Sequence, residues 1–270
     1  MKNFTVGIIC LCLSMMLFAG CSDDSGNSED VAPDPIENQN AAGVWLGYLA
    51  YETTTTFVIG LITEEEEARL IGDEVQYSGD LDLSYQPVGL TGRFIEYTWT
   101  SALYDADSSA SLDFMGYVAE RALILGGYTY DGDVSDTSGS LTLYYNTTYT
   151  ISPNVARLGG EWQIENASEP GNTATLTIVP DVDSTTGGDI TIQDANLNNF
   201  SNGRITILYS DYNVYRVRMN VNGVDLEGLA TYVAEANTNG VELNRGVLAI
   251  GASGSGASTV KSFSGLAVRP

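Results

Sequence analysis

A chain of 270 residues without a single histidine lacks the commonest general base, the usual zinc and copper ligand, and the base of Ser-His and Cys-His nucleophile pairs. Its 35 acidic and 11 basic residues give a formal net charge of −24 at pH 7, which repels nucleic acid and anionic lipid headgroups. We therefore expect no enzymatic activity and no nucleic-acid partner. The acidic surface either keeps a β-rich protein soluble or attracts cations and basic partners, and composition leaves both interpretations open.

The first 21 residues have the order of a bacterial lipoprotein signal. Lys2 supplies a positive start, residues 4–18 are almost wholly apolar, and small residues directly precede Cys21. The apolar run is shorter than the ~20 residues that a membrane-spanning helix needs, which favours a cleaved signal peptide over an anchor helix. The resemblance implies that residues 1–20 are removed and that Cys21 is the lipid attachment site, carrying a diacylglycerol and an acyl chain such as palmitate.

Residues 21–40 are interpreted as the acylated cysteine and a disordered tether. They are rich in Ser, Asp, Asn, Glu and Pro and contain no aromatic residue. Ser22, rather than an aspartate, follows the cysteine, which resembles the lipoproteins that Gram-negative cells pass on to the outer membrane. We expect a lipid-anchored protein of the outer membrane, facing either the periplasm or the cell surface. Because Cys10 and Cys12 leave with the signal, no disulfide forms and stability must come from hydrophobic cores.

From residue 41 onward, short β-type runs alternate with turn residues, and no helical period is sustained. In residues 80–85, for example, apolar and polar residues alternate as they do in a half-buried strand. The glutamates of residues 64–67 are interpreted as a solvated turn between two strands. Eight strands are predicted in the first half, near residues 43–52, 55–63, 67–72, 75–86, 90–99, 110–119, 122–130 and 138–146.

The second half shows the same pattern after a linker at residues 151–158, where Pro153 interrupts. Its strands are predicted near residues 160–166, 174–180, 189–194, 203–210, 214–222, 226–236, 246–252 and 259–268. Asn-Gly pairs predict tight hairpin turns at residues 202–203, 222–223 and 239–240. Eight antiparallel strands can close on themselves and so remove exposed edges. The predicted fold is all-β, with two tandem small antiparallel up-and-down β-barrels in residues 41–150 and 159–270.

Three short matches between the halves indicate a duplication, at spacings of about 115 to 119 positions. They are Gly43-Val44-Trp45 with Gly160-Glu161-Trp162, residues 56–59 with residues 175–178, and Tyr-Val-Ala-Glu at both 117–120 and 232–235. A period of this length is too long for a solenoid repeat and suits a duplicated domain.

A Gly-x-Trp motif at the start of an eight-stranded barrel resembles the opening of the lipocalins and avidins, the calycin-type barrels. The resemblance implies that Trp45 and Trp162 are structural plugs of their barrel floors and that Arg269 covers Trp162. The first half has no such arginine, because its last strand ends in Tyr144-Tyr145. The whole chain also resembles Gram-negative lipoproteins with tandem barrel repeats, a likeness that implies no particular activity.

Two groups of residues are candidates for ligand binding. Asp131, Asp133 and Asp136 supply closely spaced carboxylates, the oxygen ligands that calcium prefers, but they do not complete an EF-hand and aspartates are also common in turns. No other cofactor is predicted. The 16 tyrosines, among them Tyr128 and Tyr130, either line a surface for a sugar or a cation or pack as ordinary β-sheet aromatics.

These patterns predict an outer-membrane lipoprotein that acts without catalysis, as a binding or scaffolding module for another envelope component. The alternative is a lipocalin-like carrier of a small apolar or cationic ligand. A more distant alternative is a glycan-acting enzyme that uses two carboxylates. The barrel interior separates the first two interpretations, because a carrier needs a cavity and a scaffold is compatible with a solid core.

Overall fold

The computed structural model describes residues 40–72, 75–85, 89–98, 108–131, 138–165, 173–182, 185–194, 199–221, 223–255 and 260–270. It confirms the predicted fold: the chain is all-β and forms two closed antiparallel barrels of eight strands each. Cys21, Asp133 and Asp136 lie outside the described residues. Among the residues that are described, no helix combines the length and apolar character that crossing a membrane requires.

The first barrel is a simple meander in which each strand pairs with the next and the eighth pairs with the first. Its strands are β1 (Gly43–Tyr51), β2 (Thr54–Ile62), β3 (Glu67–Ile71), β4 (Val75–Tyr85), β5 (Gly89–Thr98), β6 (Ser108–Ala119), β7 (Leu123–Tyr130) and β8 (Ser138–Asn146). Alternate residues of every strand point inward, and most of the inward side chains form one apolar core.

The second barrel repeats this arrangement with one insertion. Its barrel strands are β9 (Gly160–Glu165), β10 (Thr173–Pro180), β11 (Gly187–Asp194), β12 (Asn199–Ile207), β13 (Tyr215–Val221), β14 (Val224–Val233), β17 (Val247–Ser255) and β18 (Val260–Val268). Between its sixth and seventh strands lies a small hairpin, β15 (Ala236–Thr238) and β16 (Val241–Leu243). The sequence predicted the turn of this hairpin at residues 239–240 but not its two strands, because three residues are too few to show an alternation.

One predicted turn is wrong. Asn202-Gly203 lies inside β12, beside a shift in the pairing register with β11 and β13. A Cβ atom at Gly203 would lie 2.3 Å from the carbonyl oxygen of Ile190, so the glycine is there to let two strands approach. The other two predicted turns do contain glycines with positive φ, Gly223 at 84° and Gly240 at 85°.

The sequence matches between the halves do not all mark equivalent positions. Trp45 and Trp162 both point into their barrels, but Tyr117 of the Tyr-Val-Ala-Glu match is exposed on β6 whereas Tyr232 packs against the core of the second barrel. Because side chains alternate along a strand, a match that is shifted by one residue pairs inward-facing positions of one barrel with outward-facing positions of the other. The match at residues 56–59 is shifted in the same way, with Val58 in the core. The Gly-x-Trp motif alone marks equivalent positions in both barrels.

The two barrels pack side by side and bury a common apolar cluster. The outer faces of β1–β3 meet the outer faces of β14, β17 and β18, and the hairpin β15–β16 adds Val241 and Leu243 to the same cluster. Small residues on β17 allow a close approach: a Cβ atom at Gly251 would lie 2.5 Å from Oε1 of Gln76 on β4. Residues 36–270 therefore form one compact unit.

Charged residues also bridge the barrels, which corrects the interpretation of residues 64–67 as a solvated turn. Glu67 begins β3 and is only half-buried, and its Oε2 lies 2.7 Å from Nη1 of Arg216 in the second barrel. Arg69 donates to Oγ of Ser253 across the same boundary, at 2.7 Å. The adjacent carboxylates tolerate one another because these guanidinium groups lie beside them.

The segment predicted as a linker is partly built into the second barrel. Thr147–Thr150 and Val155–Leu158 form single-turn 3-10 helices. Val155 and Leu158 belong to the core of the second barrel. Tyr149 stacks on Tyr212, with ring centroids 4.5 Å apart. These contacts order the connection between the barrels.

Candidate functional site

Each barrel is closed at one end by the tryptophan of its Gly-x-Trp motif. Trp45 and Trp162 are both fully buried. The indole Nε1 of Trp45 donates to the carbonyl of Ala41 at 3.0 Å, and that of Trp162 donates to the carbonyl of Leu158 at 2.8 Å. The acceptor lies four residues earlier in both cases, so the two floors have the same construction.

The residues that cover the two floors differ. In the second barrel the guanidinium of Arg269 lies 4.8 Å from the ring centroid of Trp162, the position that the sequence assigned to it. Its Nη2 donates to two backbone carbonyls of the segment before β9, at 2.6 and 3.3 Å. In the first barrel, Tyr145 takes the corresponding place and contacts Trp45 edge-on, with centroids 5.4 Å apart.

Side chains fill the described interiors of both barrels. Among the described residues, the interior of the second barrel is lined by apolar side chains, and Met219, Val221 and Phe263 are buried in the half next to its mouth. The first has a small cavity in its middle, lined by apolar side chains such as Leu90 and Phe114. The centre of a water molecule can move within only about 10 Å³ there, which corresponds to room for about one water. Pockets for small organic ligands enclose about 300 Å³ or more.

The mouth of the first barrel is polar, because four tyrosines surround a glutamate there. They lie at the end opposite the tryptophan floor, on inward-facing positions of β1, β4, β5 and β7. The five residues are Tyr51, Tyr77, Glu96, Tyr128 and Tyr130.

Glu96 is held by two tyrosine hydroxyls. Tyr77 is its direct partner across β4 and β5, and Tyr130 reaches it across β6, where the inward-facing Ala110 is small and exposed. Both hydroxyls donate to the carboxylate. Burial nevertheless raises the pKa of Glu96, because its desolvation outweighs the two hydrogen bonds that lower it.

Tyr77, Tyr128 and Tyr130 stay neutral at physiological pH, because the pKa of each hydroxyl is raised. Burial raises the pKa of Tyr77 and Tyr130, and the nearby carboxylate of Glu96 raises both further. The same two causes raise the pKa of Tyr128 to about 12. The hydroxyl groups therefore remain donors that can hold the ionised carboxylate.

The tyrosine rings pack edge to face. The ring centroid of Tyr130 lies 6.2 Å from that of Tyr51 and 5.8 Å from that of Tyr128. Tyr128 lies across the mouth because its neighbour on β8 is Gly139, where a Cβ atom would lie 2.3 Å from the Tyr128 hydroxyl. Tyr128 is buried, whereas Tyr51, Tyr130 and Glu96 are half-buried, so solvent reaches the carboxylate from the mouth.

None of the basic residues of the first barrel points into this mouth. Residues 41–150 contain three of them, Arg69, Arg93 and Arg121. The first lies at the boundary between the barrels, the second pairs with Asp131 on the outer surface, and the third lies beside Glu120 at the floor end. Within the described part of the chain, no ion pair involves Glu96.

The calcium candidates are only partly described. Asp131 is exposed, and its Oδ2 lies 2.5 Å from Nη2 of Arg93, so a guanidinium already engages this carboxylate. Among the described residues, no group of three or more acidic or cysteine side chains is placed to hold a metal ion. Calcium binding by this loop stays a prediction.

Sequence reasoning named Tyr128 and Tyr130 but missed the centre of the cluster. Glu96 occupies an inward-facing position of β5, in phase with Leu90 and Phe94 of the core. A charged residue in the apolar phase of a strand was the available signal. The contribution of Tyr77 is not readable from its own strand, because Tyr77 continues a normal alternation there.

A second feature is an apolar face on the outside of β6 and β7. Met115, Tyr117 and Leu125 are 72%, 44% and 47% exposed, and the last two are direct cross-strand partners. These are the sixth and seventh strands of the first barrel. In the second barrel, the outer face of the sixth to eighth strands is the one that docks on the partner barrel.

Comparisons with protein-family models, curated proteins and solved structures found no match to this chain. The function is therefore argued from its own residues. Three features carry that argument: the filled interiors, the polar mouth of the first barrel, and the exposed apolar face of β6 and β7.

Proposed function

We propose that this chain is a lipid-anchored lipoprotein of the outer membrane that acts without catalysis, as a binding or scaffolding module for another envelope component. The observation that carries the proposal is the packing of both barrel interiors over the residues that the structure describes. A carrier must enclose its ligand, and the cavity in the first barrel holds about one water. Binding is therefore assigned to the outer surfaces and to the mouth of the first barrel.

The anchor rests on the sequence. The signal-like segment ends at Cys21, and the polar residues that follow separate it from the first strand. A flexible stretch of that length has a root-mean-square reach of roughly 25 Å. The barrels would thus stand clear of the lipid headgroups while remaining at the membrane surface.

The apolar face of β6 and β7 supports a scaffolding role. The corresponding strands of the second barrel use their outer face to dock on β1–β3, so a contact of this kind already exists within the molecule. The partner that fits is a protein with an apolar β-sheet face, because such a face is what the corresponding strands cover here.

Hydrolysis of a glycan is less well supported. That chemistry uses two carboxylates about 5 to 10 Å apart. Among the described residues of the mouth, Glu96 supplies one carboxylate and its neighbours are tyrosines whose raised pKa keeps them neutral. A single carboxylate among neutral hydroxyls suits binding better than hydrolysis.

Site-specific crosslinking in intact cells tests the scaffolding role. A photo-crosslinking residue at Leu125 is expected to give one defined protein adduct, and the same residue at Thr175, on the outer face of the second barrel, is the matched control. Adding Met115→Glu should remove the Leu125 adduct, because a charge would then face the apolar partner. Equal adducts at both positions, or an adduct that survives Met115→Glu, would contradict the assignment.

A second candidate function, binding of a small cationic ligand, is favoured by a specific observation. The half-buried carboxylate of Glu96 lies among aromatic rings, and the basic residues of its barrel lie elsewhere. The ligand would sit in the mouth and would not enter the barrel.

A further inference from the structure

We propose that the mouth of the first barrel is a binding site for an organic ammonium cation, with Glu96 supplying the charge and the surrounding tyrosines an aromatic wall. The inference rests on the proposed function in one respect, that the chain binds its ligand and does not transform it. It is independent of the scaffolding face, which lies on the outside of the same barrel.

Among the described residues, the carboxylate of Glu96 has no basic side chain as its countercharge. A carboxylate that is partly withdrawn from water loses hydration, and a cation within about 4 to 6 Å restores the balance. All three basic side chains of the first barrel lie beside other carboxylates, Arg69 beside Glu67, Arg93 beside Asp131 and Arg121 beside Glu120. A cation from solution is therefore the natural partner of Glu96.

Tyrosine rings form an aromatic wall around the carboxylate of Glu96. Tyr130 is fixed by its hydrogen bond to Glu96 and by edge contacts with Tyr51 and Tyr128. Aromatic rings attract cations through their π-electron density, and several rings around one charge are the usual receptor for quaternary ammonium groups. The hydroxyls of Tyr77 and Tyr130 donate to Glu96 and that of Tyr128 donates to the carbonyl of Ala50, so the half-buried Tyr130 offers its ring to a ligand.

The mouth of the first barrel suits an organic cation better than a metal ion. Calcium takes six to eight oxygen ligands, and magnesium requires a near-octahedral set. The described mouth supplies one carboxylate, and the raised pKa values of Tyr77, Tyr128 and Tyr130 keep their hydroxyls protonated. A single charge beside apolar rings matches an ammonium group that carries methyl or methylene substituents.

The second barrel provides a comparison within the molecule. Among the described residues, the buried side chains nearest its mouth are apolar, namely Met219, Val221 and Phe263, and its floor has the same construction as that of the first. The polar mouth is therefore not a requirement of the fold, which strengthens its assignment to binding.

Choline and its neutral isostere 3,3-dimethylbutan-1-ol are the probes, titrated by calorimetry into the full-length protein in detergent. We expect saturable choline binding, and we expect the neutral isostere to bind more weakly by about tenfold or more, because it lacks the charge that interacts with Glu96. Glu96→Gln should weaken choline binding to a similar extent, and Tyr130→Phe should weaken it less, because the ring remains. Glu161→Gln, an exposed carboxylate of β9, is the matched control and should bind choline as the wild type does.

A further comparison separates a free amine from a lipid headgroup. Phosphocholine carries the phosphate of a headgroup, and the chain's net charge of −24 should make it bind less tightly than choline. Tighter binding of phosphocholine would instead identify a headgroup as the source of the same ammonium chemistry.

Several results would overturn the inference: no saturable choline binding by the wild type, equal affinity for the neutral isostere, or choline binding unaffected by Glu96→Gln. The melting temperature of each variant distinguishes loss of the site from loss of the fold, and Tyr130→Phe keeps the test informative if Glu96→Gln fails to fold. A failed choline experiment beside an intact Leu125 crosslink would reject this site and leave the scaffolding proposal standing.

Discussion

The substitution Trp162→Ala tests how far the two barrels share their stability. The indole is fully buried, its Nε1 donates to the carbonyl of Leu158, and the guanidinium of Arg269 lies 4.8 Å from its ring centroid. Truncating a buried tryptophan costs about 3 to 5 kcal/mol. That loss is a large share of the ~5 to 15 kcal/mol by which a typical protein is stable.

The effect of this substitution is expected to reach the first barrel, because the barrels bury a common apolar face. On the side of the first barrel this face includes fully buried side chains, namely Val44, Leu46, Ile59, Leu61 and Ile71. Burial of one such side chain contributes about 1.5 to 3 kcal/mol, so the set contributes roughly 8 to 15 kcal/mol as an upper value. A first barrel that lost its neighbour would lose this contribution, so we expect both barrels to unfold together.

Calorimetry and hydrogen exchange measure the coupling. The wild type should show one transition, and Trp162→Ala should lower its melting temperature by roughly 6 to 20 °C. It should also accelerate amide exchange in β1–β8 as well as in the second barrel. Val182→Ala, at a 98% exposed position, is the control and should leave the transition unchanged. Two resolved transitions, with exchange in β1–β8 unaltered by Trp162→Ala, would refute the argument.

Three further outcomes are expected. Gln76 is fully buried between the barrels, and neither of its amide atoms has a hydrogen-bond partner among the described residues, so Gln76→Met should raise the free energy of unfolding by about 1 to 3 kcal/mol in denaturant titrations. A lower value would mean that the amide is satisfied in solution. The folded-state pKa of Glu96 is raised above its unfolded value of about 4.3, so the folded chain holds this proton more tightly than the unfolded chain does. The resulting stability is present at low pH and is lost as pH rises through the folded pKa. Glu96→Gln should therefore flatten the decline of stability with pH above about 4.3, and profiles parallel to those of the wild type would contradict the assigned pKa direction. Cys21→Ala should release the protein from the membrane fraction, and a variant that still sediments and resists washing would reject the lipid anchor.

The strand positions were predictable because most strands are buried on one face and therefore alternate. Residues 215–221, for example, alternate between buried and more exposed positions as β13 does in the structure. The floors were predictable from the Gly-x-Trp motif. A tryptophan that points into a small barrel from the start of its first strand is large enough to close that end. The fold thus follows from local patterns that a single sequence displays.

The contact between the barrels was present in the sequence but was not recognised. In β1 and β2, runs such as Val44-Trp45-Leu46 and residues 58–62 are buried without alternation. A continuous apolar run of this kind is typical of a strand that is covered on both faces. The sequence nevertheless does not show which segment covers the second face of β1 and β2, because the identity of that segment depends on how the two closed barrels pack.

The mouth of the first barrel was harder to foresee, since its members come from distant parts of the chain. Tyr77 and Glu96 meet only because β4 and β5 pair in one register, and Tyr130 reaches the same carboxylate across a third strand. A shift of one residue in any of these pairings would turn one of the groups outward. Such a cluster depends on the register of several pairings at once, and no local pattern encodes it.

The packing of the barrels is head to tail, and its two ends differ in chemistry. The first to third strands of one barrel meet the sixth to eighth strands of the other, an arrangement that would continue indefinitely if both free faces were apolar. In the second barrel the free face of β9–β11 is mostly polar: Glu161, Asp189, Thr191 and Gln193 are exposed there, beside one exposed apolar side chain, Val179. This end therefore stops further addition, as polar caps do in repeat proteins. The other end, the face of β6 and β7, keeps its apolar side chains and is open to a partner. Because the opposite end is different, this apolar face does not bind the free end of another copy, and the chain does not polymerise.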